Sequence, residues 1–191
     1  MRCMSRWEPD ASGRLRQAAI ELYVERGFAQ TTAAQIADRA GLTARTFFRY
    51  FGDKREVLFD KSALLQQGMT DALAAAPDSA SPLTAVAAAL SFAADRLGQD
   101  REWSRQRQGV IVANSELQER ELIKMASLAA ALGEGLRGRG VRDPDASLAA
   151  EAGVAILRVA FDRWVSEPED QDLGRVMADM LEQLRRLTAA G

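Results

Sequence analysis

Residues 31–51, "TTAAQIADRAGLTARTFFRYF", carry two successive sets of helix start and stop signals. Thr32 with Gln35 three positions on has the spacing of a capping box, in which each side chain bonds the other residue's backbone N–H. Ile36, Ala37 and Ala40 make a short apolar stripe, and Gly41 stops the helix. Thr43 caps a further helix that ends near Phe51. The result is two short helices joined by a tight Gly-Leu-Thr turn. At 100° per residue, Phe47, Tyr50 and Phe51 fall on one side of the later helix, with Thr43. Ala44, Arg45, Phe48 and Arg49 fall on the other. The first side resembles a core face. The second sets an aromatic ring between two arginines, a costly pattern as plain surface but a useful one against duplex nucleic acid. Arginines grip phosphates or read guanine edges, and Ala44 lets the helix start enter a groove or touch a thymine methyl. A helix-turn-helix places its later helix in the major groove. Short helix pairs joined by a glycine turn also occur in helical proteins with no DNA function, and periodicity alone leaves both readings open.

The remaining chain reads as helix throughout. Leu15, Ala18, Ala19, Leu22 and Tyr23 have helical spacing in 14–26, and Gly27 follows as a stop. Asp53 and Glu56 repeat the capping-box spacing and predict a long helix from 54 to about 75, with Val57, Leu58, Leu64, Leu65, Met69 and Leu73 on its stripe. "PDSASP" (77–82) is the clearest break, and Ser81-Pro82 suits the start of a helix ending near Gly98. Further helices are predicted over 101–114, 116–137, 144 to about 165, and 172–188. There is no strand alternation, repeat or low-complexity tract. About nine helices, five prolines and 47% hydrophobic residues in a 191-residue chain predict an all-α fold.

The absence of histidine excludes imidazole metal sites and histidine-based triads. Cys3 is the one cysteine and cannot form an internal disulfide. No apolar run approaches the roughly 20 residues of a membrane span, and residues 1–16 lack a signal-peptide core, so a cytoplasmic protein without a membrane partner is expected. No nucleophile-base pair, phosphate loop or cofactor motif appears, and the expectation is no catalytic residue, no cofactor and no metal. Glu116, Glu119 and Glu121, near a basic segment, read as ordinary charged helix surface. Residues 1–60 hold 10 Lys+Arg against 8 Asp+Glu, and the remainder 15 against 19, a small asymmetry that speaks only weakly for a polyanionic partner.

Residues 14–58 resemble the DNA-binding domain of TetR-family transcriptional regulators. The likeness rests on "AAIELYVERGF", "TTAAQIADRAGLT" and "RTFFRYFGDKREVL", with Gly27, Thr32, Ile36, Ala37, Gly41, Thr43, Phe51, Lys54 and Leu58 in the family's spacing. The resemblance implies a helix-turn-helix domain over 10–70, its motif at about 32–51, followed by a helical effector-binding and dimerisation domain over 77–191. It implies that Thr32 touches a phosphate and that Thr43, Ala44 and Arg45 reach base edges. Arg45 is the candidate for guanine readout, with a phosphate contact as its alternative. Thr46, Phe48, Arg49 and Tyr50 match positions near the DNA backbone, and Lys54 matches a lysine that meets phosphate. Phe48 departs from the family, which often has tyrosine there, so a phosphate hydrogen bond is lost.

For the second half the resemblance implies a homodimer that binds a small molecule. Residues 152–161 are apolar almost all round, with Arg158 the only charge. Two buried faces explain this, one for the subunit's own core and one for a second subunit. Ala149, Ala152, Gly153 and Ile156 there, with Val176, Met180 and Leu184 on the last helix, are the candidate dimer residues, although one fully central helix in a monomer fits too. Phe92, Trp103, Met125, Phe161 and Trp164 are candidates to line an apolar effector pocket, with Asn114 or Arg158 as polar anchors. The implied activity is repression from a palindromic double-stranded operator, released by an unidentified effector. The alternatives are a helical interaction module, or a regulator or activator that needs no ligand.

Overall fold

A computed structural model of the chain describes residues 10–168 and 171–189, and Cys3 lies outside them. The described residues form α1 (Ala11–Arg26), α2 (Ala33–Arg39), α3 (Ala44–Tyr50), a 3₁₀ turn (Glu56–Leu58), α4 (Ser62–Ala74), α5 (Pro82–Leu97), α6 (Arg101–Val112), α7 (Ser115–Gly138), α8 (Asp145–Ser166) and α9 (Leu173–Ala189). The fold is all-α, a helix-turn-helix unit followed by a larger helical part. Local chemistry sets most helix ends. The Asp10 carboxylate accepts from Gly13 N at 2.9 Å, and Ser81 Oγ accepts from Thr84 N with Pro82 in the first turn of α5.

The long helix expected from 54 to 75 is broken. Residues 56–58 make a 3₁₀ turn, and α4 proper begins only at Ser62. Val57, Leu58 and Phe59 are all buried, and three successive residues cannot all face one side of an α-helix. Side-chain donors from elsewhere complete the break. Tyr23 Oη donates to the Lys54 carbonyl at 2.6 Å, and Arg107 Nε donates to the Leu58 carbonyl at 2.8 Å. These are carbonyls that a continuous helix needs for its own ladder.

Two apolar cores result. The first gathers Leu15, Ile20, Leu22, Phe28, Ile36, Phe47, Phe51 and residues 57–59, and it also takes in Val110, Ile111 and Leu117 from α6 and α7. The second lies among α4, α5, α7, α8 and α9, around Met69, Leu73, Leu90, Leu132, Leu157, Trp164 and Met177. Its middle is alanine-rich, and α8 approaches α5 closely. A Cβ on Gly153 lies 2.5 Å from Val86 Cγ1.

Four of the seven expected dimer residues turn inward. Ala149, Gly153, Ile156 and Val176 are buried inside the subunit. Their small side chains serve packing within the chain, and only Ala152, Met180 and Leu184 remain partly open. The outward stripe on α8 is rotated from the expected one. It comprises Leu148, 64% exposed, Ala152, Ala155 and Val159, 50% exposed, and on α9 the apolar row continues to Leu187, 72% exposed.

Gly153→Ala should lower stability by about 1–3 kcal/mol in urea unfolding, because the buried, β-branched Val86 has little room to yield. Adding Val86→Ala should recover part of the loss. Unchanged stability of the single variant would mean that the α5–α8 approach does not depend on this glycine.

Candidate nucleic-acid interface

The capping box read from the sequence forms as expected. Gln35 N donates to Thr32 Oγ1 at 3.2 Å, and Thr32 N donates to Gln35 Oε1 at 2.9 Å. The turn closes through Gly41 N to Asp38 O at 2.9 Å and Leu42 N to Ala37 O at 2.8 Å. Gly41 has φ +68°, where a side chain is strained. Thr43 then caps α3, its Oγ1 accepting from Thr46 N at 3.1 Å.

Phe47 and Phe51 point inward and pack with ring centroids 5.5 Å apart. Full burial of a phenylalanine contributes about 1.5–3 kcal/mol. With the inner face so held, Arg45, Phe48 and Arg49 are exposed and Ala44 half-buried. Phe48 is 57% exposed, its ring edge-on to Phe47 at 5.3 Å. Thr43 and Tyr50 leave the core side where the helical wheel put them. Thr43 is an extended N-cap at φ −94°, outside the helical register. Phe51 is also extended, at φ −132°, so it enters the core on a non-helical path and leaves Tyr50 at the rim, 45% exposed. Arg49 lies over the Tyr50 ring at 5.0 Å and donates to its hydroxyl at 3.3 Å. Among the described residues Arg45 makes no hydrogen bond, ion pair or ring contact. This surface therefore offers one unengaged guanidinium, a second held against an aromatic ring, an exposed phenyl ring, and the half-buried Thr46.

Lys54 matches a family lysine that meets phosphate, but here its ammonium is turned to the protein. Nζ donates to the carbonyls of Phe28 at 2.7 Å, Thr31 at 2.9 Å and Ala29 at 3.4 Å, and sits 4.2 Å from the Phe28 ring centroid. Burial pushes the Tyr23 phenol well above its ordinary pKa, and nearby Asp53 adds to this, so it remains a donor to the Lys54 carbonyl. Behind the loop, the buried Thr31 hydroxyl donates to Gly27 O at 2.9 Å. Arg39 forks onto Glu25 at 2.9 and 2.8 Å and ties α2 to α1. Sequence reading missed this network, because Tyr23 read only as part of an apolar stripe. Next to Lys54, burial opposes the charge of Asp53, but hydrogen bonds from Arg55 outweigh it and hold the carboxyl below its usual range.

The helix-turn-helix unit is joined firmly to α6 and α7. Arg107 pairs with Glu121 at 3.1 Å while holding the Leu58 carbonyl. Arg55 meets Glu116 at 3.6 Å, Arg120 pairs with Glu56, and Arg16 lies over the Trp103 ring at 5.3 Å.

The seven expected pocket residues do not all gather in one place. Phe92, Met125, Phe161 and Trp164 belong to the second core, with Trp164 Nε1 donating to Gln171 O at 2.8 Å. Trp103 packs against the first core. Asn114 precedes α7 and donates to Val110 O at 2.7 Å. Arg158 is exposed on α8. Of two surface clefts, one of about 130 Å³ is floored by Ala126, Ala130 and Gly133, and one of about 470 Å³ lies beside Ala74, Gly135 and Arg139. None of the seven residues lines either.

Known proteins agree with this architecture. Residues 15–60 match the model of "Bacterial regulatory proteins, tetR family", and residues 80–189 match that of the "MftR C-terminal domain". The chain is 34% identical over 76 residues to the HTH-type transcriptional regulator TcmR of Streptomyces glaucescens, covering 40% of this chain and 34% of that protein. It is 31% identical over 100 residues to an uncharacterised HTH-type transcriptional regulator of Mycobacterium tuberculosis, covering 52% and 51%. The matches thus span about a third and a half of those relatives' lengths. Among solved structures, the SmeT–triclosan complex is similar at TM-score 0.67 and 21% identity, over 93% of this chain and 90% of that one. Native NalD, secondary repressor of the MexAB-OprM multidrug efflux pump in Pseudomonas aeruginosa, is similar at 0.65 and 19%, over 93% and 96%.

Thr43→Ala removes the α3 cap and should lower unfolding free energy by about 0.5–2 kcal/mol. Thermal unfolding checks this, and Thr43→Ser should retain most of the stability.

Proposed function

The chain belongs to the TetR family of bacterial transcriptional regulators, and on that premise we propose that it is a cytoplasmic repressor that binds a palindromic operator as a homodimer and is released by a small-molecule effector. One observation carries the reading: Arg45, Phe48 and Arg49 stand exposed, with Ala44 half-buried beside them, on a helix fixed from behind by Phe47 and Phe51. Arg45 reads guanine, Ala44 and Thr43 lie against base edges, and Thr32, Thr46, Arg49 and Tyr50 meet the backbone. Phe48, without a hydroxyl, makes apolar contact with sugar or thymine methyl.

One α3 spans few base pairs, so two copies are needed, with half-sites one turn (~34 Å) apart. The second copy covers the outward row of Leu148, Ala152, Ala155 and Val159 on α8 with Met180, Leu184 and Leu187 on α9. In support, the α9 row extends past its last buried residue, Leu181. This closes a four-helix, two-fold interface. Solved SmeT holds triclosan, which supports an apolar effector. Here it would enter the second core near Phe92 and Phe161 and bind one arrangement of α4 better than the other, as any release requires.

Duplexes selected from random DNA by the full chain supply the operator. Against them Arg45→Ala should cost about 1–3 kcal/mol and relax one base position, and wild-type affinity should fall steeply with salt. An Arg45→Ala protein that binds every sequence like the wild type would remove α3 as the reading element. Leu148→Asp with Val159→Asp should yield monomer in sedimentation, and a persistent dimer would place the interface elsewhere.

A further inference from the structure

We propose that Lys54 is a positioning residue for DNA reading, a strut that sets the loop between α1 and α2, and does not itself contact phosphate. The inference rests on the DNA-binding reading above. An ammonium has three donors and no acceptor. All three are matched by Phe28 O, Thr31 O and Ala29 O, at 2.7, 2.9 and 3.4 Å. These carbonyls belong to the turn after α1, where no helix ladder reaches them. The face of the Phe28 ring, 4.2 Å away, adds a cation–π contact. Lys54 is held at its backbone as well, where Tyr23 Oη donates to its carbonyl at 2.6 Å.

The location gives the strut its consequence. The loop it gathers runs straight into Thr32, the N-cap of α2 and a proposed phosphate contact. In the other direction Lys54 follows α3 by four residues. One side chain thus fixes the start of α2 relative to the end of α3. Swinging Nζ to a phosphate would exchange three charge-assisted hydrogen bonds and a ring contact for one solvated ion pair. A lysine–phosphate contact is itself charge-assisted, so the swing gains no stronger kind of bond while it gives up two close carbonyls, a third at 3.4 Å and the ring.

The salt dependence of operator affinity separates the two roles, because each phosphate contact adds about 0.9 to the slope of log K against log salt. Lys54→Met, measured as folded protein well below its thermal midpoint, should weaken binding by roughly tenfold, the order of loss when a hydrogen-bonded charge is removed, with the wild-type slope unchanged. A slope reduced by about one would make Lys54 a phosphate contact and overturn the proposal. Unchanged affinity would make it purely structural and equally overturn it. Should Lys54→Met fold poorly, Tyr23→Phe releases the Lys54 carbonyl without touching any charge. It should weaken binding at constant slope, and wild-type affinity would refute the strut. Wild-type protein that selects no duplex would instead refute the DNA-binding reading itself.

Discussion

Two side-chain hydrogen bonds on backbone carbonyls decide how this molecule is divided. Tyr23 takes the carbonyl of Lys54 and Arg107 takes that of Leu58. Each is an acceptor that a helix starting at 54 would need four residues later. With both diverted, residues 56–58 tighten into a 3₁₀ turn, and Val57, Leu58 and Phe59 turn inward together. The recognition unit gains three apolar residues for its core. It also becomes separate in secondary structure from α4, which begins at Ser62. A rigid rod from the proposed DNA surface into the second core is therefore not what the chain builds. Any displacement of α4 must pass through a non-helical link anchored by α1 and α6.

α6 carries a matching set of anchors. At its start, Arg101 and Arg105 donate to the carbonyls of Trp164 and Val165 near the end of α8. At its end, Val110 and Ile111 sit inside the first core. Between them Arg107 reaches Leu58 on one side and Glu121 of α7 on the other. Burial opposes the charge of Arg107 and Glu121 offsets part of that penalty, so losing Glu121 leaves a half-buried guanidinium without its counter-charge. α6 is thus held at both ends and in the middle by contacts to three other elements. It links the end of α8 to the recognition unit through contacts that do not involve α4.

Helix ends were the most legible part of the sequence because caps are local. The box at Thr32 and Gln35, the cap at Thr43, Ser81-Pro82 and the stop at Gly41 depend on residues within four positions of one another, and each forms. The break at 54–61 was not legible for the opposite reason. Its donors come from Tyr23 and Arg107, 31 and 49 residues away, and the Asp53–Glu56 spacing taken alone looks like another helix start. Asp53 does accept from Arg55 N and Glu56 N, but the turn it opens is 3₁₀. The outward set on α3 was legible because Phe47 and the two arginines differ so strongly in polarity. Tyr50 was not, since its placement depends on where the helix stops.

The inward turn of four expected dimer residues and the spread of the expected pocket residues share one cause. A helical wheel locates an apolar stripe, but not the body that covers it. On α8 apolar residues run nearly all round, so polarity could not separate the inner arc of Ala149, Gly153 and Ile156 from the outer arc of Leu148, Ala152, Ala155 and Val159. Gly153 is packed against Val86 within the subunit, a Cβ there falling 2.5 Å from Val86 Cγ1, which a helical wheel does not show. Aromatic residues are no better guide to a cavity. Phe92 lies so close to Gly68 that an added Cβ falls 2.0 Å from its Cζ, so this ring fills the α4–α5 contact rather than lining a space. An effector that enters there must move Phe92 or part the two helices. Its affinity is then tied to the position of α4, and that linkage is the physical requirement for a ligand to change what α3 does.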